Sequence, residues 1–186
     1  MRQQVSKCSH QGMKRYLRCK EDISYSRLSG EGLFSVVAAP PRTLLAFFSG
    51  YKVPVDWLEK VWVESLGGEE IANSLQSGDT KLEEFIQRKS YLIALDKEHD
   101  LDMPPDLGRN VSLYQATLGH KVNHWFAPNC YFGWAVHPRF GRIRSIVSLR
   151  AVRAGEELTV DYGYAPGQWA TPGWYNKLYK HYYGHM

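Results

Sequence analysis

The chain has 186 residues, enough to bury one sizeable core and too few for two full domains. Its 44% hydrophobic and 23% charged content is ordinary for a globular protein and does not argue for disorder, and a formal net charge of +4 spread along the sequence makes no case for a dedicated nucleic-acid reader. No apolar run approaches the roughly 18 residues needed to cross a bilayer, and three cysteines (Cys8, Cys19, Cys130) are too few and too scattered for a disulfide framework.

Residues 1 to 22 are polar and basic with little periodicity and predict a flexible arm. Gly30-Glu31-Gly32 breaks the backbone ahead of two β-type runs, Leu33 to Ala38 and Leu44 to Phe48, with Pro40-Pro41 forcing the turn between them. From about 55 to 88 the period changes. Trp57, Leu58, Val61 and Trp62 recur at helical spacing, Gly67-Gly68 interrupts, and Leu82, Phe85 and Ile86 continue the pattern, which predicts a short helical insert. Tyr91 to Leu95 reads as a strand and Asp96 to Asp106 as an acidic loop. Cys130 to Val136 and Ile143 to Leu149 read as paired strands around the turn His137 to Gly141. Alternation places Ile143, Val147 and Leu149 on one face of the second strand and Arg142 and Arg144 on the other, which by itself reads as a solvated basic face. A turn-rich linker from Ala165 to Gly173 leads into an aromatic, basic segment of helical character, Trp174 to Tyr183.

Two stretches carry more chemistry than a core requires. Asn123 to Cys130 sets amides and an imidazole beside Trp125 and Phe126, with Pro128 removing one backbone donor. Polar groups packed among aromatics must be met by hydrogen bonds or cost about 1 kcal/mol or more each. Their partners are expected to be a bound ligand and the run Glu156 to Tyr164, which ends in a Tyr-Gly-Tyr triplet.

These two stretches and Gly30 to Phe34, in this order and spacing, resemble the SET domain of protein-lysine methyltransferases, from about Arg27 to the C-terminus. Leu118 to Lys121, Val136 to Gly141 and Leu149 to Val152 are most similar to the MORN-repeat histone-lysine methyltransferase subfamily, here without the MORN repeats. The resemblance implies a mainly β fold, a β-clip of several small sheets with a pseudoknot, carrying the helical insert and a C-terminal helix. Its expected extent is 23–164, with 165–186 as a lid over the lysine channel.

The same resemblance implies the cofactor S-adenosyl-L-methionine, held by Ser29, Gly30, Glu31, Gly32, Asn123, His124 and Trp174. Tyr162 is then the catalytic tyrosine. Phe48, Phe132, Tyr164 and Arg144 line the substrate channel, Arg144 standing where the subfamily has a lysine near the substrate. Many SET enzymes follow the Tyr-Gly block with a zinc-binding cysteine cluster. No cysteine follows Cys130, so no structural zinc of that kind is expected, and the lid must close by packing of Trp174, Tyr175, Tyr179, Tyr182 and Tyr183.

Phe48 and Phe132 replace channel tyrosines, a change that favours higher methylation states in the wider family. Trp125 stands where the family has a small residue, and Leu178 replaces an acidic cofactor contact. The implied function is a monomeric, nuclear or cytoplasmic protein-lysine N-methyltransferase acting on a histone tail and on non-histone lysines, with no membrane or direct nucleic-acid contact. The competing reading is a catalytically silent SET module that binds a protein partner or a methylated tail.

Overall fold

The computed structural model describes residues 3–4, 17–20, 32–48, 50–74, 79–104, 118–137, 141–168 and 171–184. Ser29, Gly30 and Glu31 lie outside the described residues, as does most of the expected arm. The chain forms two compact units, one of Met1–Tyr51 with Asp106–Tyr162 and one of Lys52–Pro105 with Gly163–Met186.

Strands β1 (Gln3–Gln4) and β2 (Leu17–Lys20) lie within residues 1–22. β2 runs antiparallel to β3 (Gly32–Ser35), with Arg18 opposite Phe34. β4 (Leu44–Phe47) follows the turn at Pro41 and Arg42, where Arg42 takes a left-handed φ of 62°. Ser148, fully buried, holds that turn: its hydroxyl donates to the Pro40 carbonyl at 2.8 Å and accepts from the Thr43 N–H at 2.9 Å. β3 and β4 do not pair with each other. β5 (Tyr51–Pro54) leads into α1 (Trp57–Leu66), α2 (Glu69–Ser74) and α3 (Thr80–Lys89).

The insert forms where helical periodicity placed it. Leu58, Phe85 and Ile86 make its small core, and Trp62 stacks on Phe85 with ring centres 4.3 Å apart. Gly67 ends α1 at φ 94°, a left-handed cap that glycine adopts without steric cost. β6 (Leu92–Ala94) confirms the strand expected there, but the expected acidic loop contains a further strand, β7 (His99–Asp102), antiparallel to β6. Asp102 is fully buried in β7 and is paired with Arg88 of α3.

In the first unit, β8 (Asn123–His124) follows a 3-10 turn at Gly119–Lys121, and β9 (Cys130–His137), β10 (Gly141–Ser148) and β11 (Glu157–Val160) complete two sheets. Their orders are β4-β10-β9 and β2-β3-β11-β8. The predicted hairpin is present as β9 and β10, with Gly141 opposite His137 and Ser148 opposite Cys130. Ile143 and Val147 are buried as alternation required, whereas Leu149 lies past the strand end and is 51% exposed. One core joins both sheets through Leu33, Leu45, Val122, Ile146, Leu158 and Val160, with Phe132 and Tyr162 packed against it. α4 (Gly173–Tyr183) is the C-terminal helix that the sequence predicted.

Candidate active site

The crossing of β8 and β11 builds the site. The two strands run parallel, Asn123 beside Thr159 and His124 beside Val160, and the Trp125 N–H extends the ladder to the Val160 carbonyl at 2.9 Å. Four residues after Trp125 the chain returns to β11 through Asn129, whose buried amide donates to the Glu157 carbonyl at 2.7 Å and accepts from the Thr159 N–H at 2.8 Å. One segment therefore grips β11 twice, by backbone and by side chain. Asn129, unassigned at the sequence level, is the fastener of the crossing.

Tyr162 sits two residues past β11 and is held at both ends. Its backbone N–H donates to Nδ1 of His124 at 3.1 Å, and its hydroxyl donates to the Val122 carbonyl at 2.5 Å. The hydroxyl proton is thereby committed, which leaves the oxygen lone pairs as acceptors. Gly163 follows at φ 71°, a turn that a side chain would strain. The Tyr162 ring stacks on Phe132 at 6.2 Å, and Phe132 meets Phe48 edge-on at 6.3 Å. Three predicted site residues thus form one continuous arene row. Gly119 sets the position of Phe48, since a Cβ there would come within 2.4 Å of the Phe47 carbonyl oxygen and 2.9 Å of the Phe48 nitrogen.

His124 is buried and its Nδ1 accepts a hydrogen bond from the Tyr162 N–H, so it is neutral in this arrangement. Burial lowers its pKa and outweighs the opposing pull of the Asp161 carboxylate, 3.6 Å from Nδ1. The consequence for stability has a definite sign. Below its ordinary value near 6.5 the unfolded chain takes up a proton that the folded chain resists. His124 therefore contributes stability that is complete above that pH and is lost as pH falls through the lower folded value. Urea unfolding of wild type and His124→Asn at pH 7.5 and pH 5.5 is expected to show a smaller acid-side loss in the variant.

Gly32, Asn123 and Glu157 also meet. The Asn123 amide donates to the Glu157 carboxylate at 2.9 Å, and a Cβ on Gly32 would lie 2.7 Å from the same carboxylate oxygen and 3.3 Å from the amide nitrogen. Glycine at 32 thus makes room for this pair. Glu157 went unrecognised at the sequence level; the signal was two adjacent glutamates at the start of a β-type run, of which the second, Glu157, opens β11 and meets Asn123 of β8. Its neighbour Glu156 faces burial that raises its pKa, but Arg150, the Arg153 N–H and the Asn129 amide together hold it below the ordinary glutamate range.

The remaining expected residues sort differently. Arg144 lies on β10, its carbonyl accepting from the Phe48 N–H at 3.0 Å and its guanidinium 3.8 Å from the centre of the Trp134 ring. Tyr164 and Trp174 belong to the second unit, where their rings meet at 6.2 Å and the Tyr175 hydroxyl donates to the Tyr164 carbonyl at 2.9 Å. Burial pushes the Tyr164 phenol up to about 12, so it stays protonated at neutral pH. Tyr175, Tyr179, Tyr183 and Tyr182 continue this aromatic array along α4 by successive ring contacts. The Cys130 thiol, buried and near Glu156, is pushed up to about 12 and is no nucleophile.

A sulfonium cofactor needs surroundings without competing cations. The neutral His124, the carboxylate-anchored Asn123 amide and the aromatic row fit that requirement. The SET domain profile matches residues 30–163. The histone-lysine N-methyltransferase SETD7 of Halocynthia roretzi is 32% identical over 137 residues, covering 73% of this chain and 29% of that protein. The chain thus spans less than a third of the length of that relative.

Proposed function

The chain belongs to the SET-domain family, and on that basis we propose that it is an S-adenosyl-L-methionine-dependent protein-lysine N-methyltransferase acting on a histone tail and on other lysines, in the nucleus and the cytoplasm. The observation that carries this reading is Tyr162, whose hydroxyl proton is given to the Val122 carbonyl while its ring closes the row with Phe132 and Phe48. The cofactor supplies an electrophilic methyl group. Gly32, Asn123 and His124 are the described residues of the first unit that would hold it, Asn123 kept in place by Glu157.

Only a neutral amine attacks a methyl group, and free lysine is a cation up to a pKa near about 10.4. An arene-lined approach disfavours the ammonium by desolvation, so no strong base is required. The Tyr162 oxygen, an acceptor because its own proton is committed, then orients the amine hydrogens and turns the lone pair toward the donor. Holding the two reactants in line is worth up to about 7 to 11 kcal/mol in favourable cases.

Calorimetry with S-adenosyl-L-methionine and radiolabel transfer onto a lysine-peptide array test the proposal. Cofactor binding with transfer to lysine supports it, and binding without transfer to any peptide would leave a silent SET module instead. Phe48 and Phe132 offer no hydroxyl to fix a water beside the amine, which leaves room for a nitrogen already methylated. Mass spectrometry under excess cofactor is expected to show dimethyl or higher product from wild type and mainly monomethyl product from Phe48→Tyr. Monomethyl product alone from wild type would refute this account of the pocket.

A further inference from the structure

One face of the β9–β10 hairpin leads outward from Tyr162. Directly paired residues of an antiparallel ladder share a face, and the register pairs Phe132 with Ile146, Trp134 with Arg144 and Val136 with Arg142. Exposure rises along this row, from fully buried Ile146 through Trp134 at 37% to Val136 at 84%. Its inner end is Phe132, the ring stacked on Tyr162. Toward its outer end, the guanidinium carbons of Arg142 and Arg144 lie 3.9 Å and 3.8 Å from the centre of the same Trp134 ring.

Two like charges held on one indole repel each other, and the ring face offsets only part of that cost. Burial and the neighbouring Arg142 charge both lower the pKa of Arg144. Arginine pairs present planar donor sets that fit a carboxylate. At a rise of about 3.4 Å per residue, Trp134 lies about 7 Å and Val136 about 14 Å beyond Phe132 along the strand. An extended peptide whose lysine reaches Tyr162 covers those distances with the second to fourth residues from that lysine.

We propose that Arg142, Arg144 and Trp134 form a specificity subsite for an acidic side chain of the substrate, so that lysines flanked by Asp or Glu two to four residues away are preferred. The inference rests on the lysine-transfer reading and adds a substrate class to it. The continuity of the row with Phe132 favours a peptide over a nucleic acid as occupant.

The test uses the full chain with paired lysine peptides that carry either Asp and Glu or Asn and Gln at those positions on both sides. The expected kcat/KM ratio is about fivefold in favour of the acidic peptide, the scale of a partly exposed ion pair. Arg142→Gln with Arg144→Gln should bring the ratio near one, and Arg142→Glu with Arg144→Glu should reverse it toward lysine-flanked peptides. A wild-type ratio near one, or a ratio unchanged in the double glutamine variant, would overturn the proposal. Fluorescence anisotropy with labelled peptides bearing norleucine for the target lysine reads binding without chemistry. An arginine-dependent preference there upholds the subsite even in a chain that transfers no methyl group, which separates its failure from that of the parent reading. A labelled single-stranded oligonucleotide bound with the same arginine dependence, while the peptides show no preference, would assign the face to nucleic acid and overturn the proposal.

Discussion

Replacing Tyr162 by Phe is expected to slow methyl transfer by about 10²-fold or more, with cofactor affinity nearly unchanged. The ring contacts with Phe132 and His124 survive the change, so the aromatic row keeps its shape. What disappears is the oxygen. Its bond to the Val122 carbonyl fixes the direction of its lone pairs, and no other atom in the row of Phe48, Phe132 and Tyr162 rings can accept an amine hydrogen. The lost hydrogen bond also leaves the Val122 carbonyl short of a donor, at about 1 kcal/mol. Initial rates of radiolabel transfer, with calorimetry on the same preparations, separate the two effects. A rate within about threefold of wild type would place the reacting nitrogen elsewhere, because a positioning acceptor worth less than 1 kcal/mol does little for an in-line displacement.

Much of this arrangement was legible because its signals are local. Gly67-Gly68 ends a helix by its own backbone freedom, and two β-type runs joined by the short turn from His137 to Gly141 mark the β9–β10 hairpin. Helical spacing of Leu82, Phe85 and Ile86 likewise found the buried face of α3. The misses share a dependence on partners far away in sequence. β7 read as a loop because His99-Asp100-Leu101-Asp102 carries three titratable side chains, and it is the distant Arg88 on α3 that pairs with the buried Asp102. β2 went unseen because a four-residue strand gains its definition from β3, not from its own pattern. Pro40-Pro41 marked a turn correctly, but nothing local tells whether the flanking strands pair with each other or join different sheets.

The site divides along the same line. Residue types and their order brought Tyr162, Phe132, Phe48, Gly32, Asn123 and His124 together, and the structure gathers all six in the first unit. The supports of these residues were hidden. Val122 acts through a carbonyl that every residue has, and Glu157 acts through a geometry that only the β8–β11 pairing creates. A side chain that serves another side chain leaves little trace in composition.

Asn129→Ala should be among the most destabilising single changes in the first unit, at about 2 to 4 kcal/mol, read as a lower urea midpoint with an unchanged slope. The amide satisfies the Glu157 carbonyl and the Thr159 N–H inside the protein, and it also reaches the Glu156 carboxylate at 3.1 Å. Alanine strands those groups where water replaces the bonds poorly. Asn129→Asp discriminates between lost volume and lost donor. It keeps the acceptor for Thr159 but turns a carboxylate oxygen toward the Glu157 carbonyl and the Glu156 carboxylate, so at neutral pH it should cost at least as much as alanine. Protonation restores a donor, and the folded-state pKa of that aspartate is raised by its neighbours, so its deficit relative to wild type should shrink as pH falls. Because β11 delivers Tyr162 to Val122, either variant should lose transfer activity before the hairpin of β9 and β10 melts. Equal and simultaneous loss of both would mean that the crossing and the hairpin unfold as one cooperative unit.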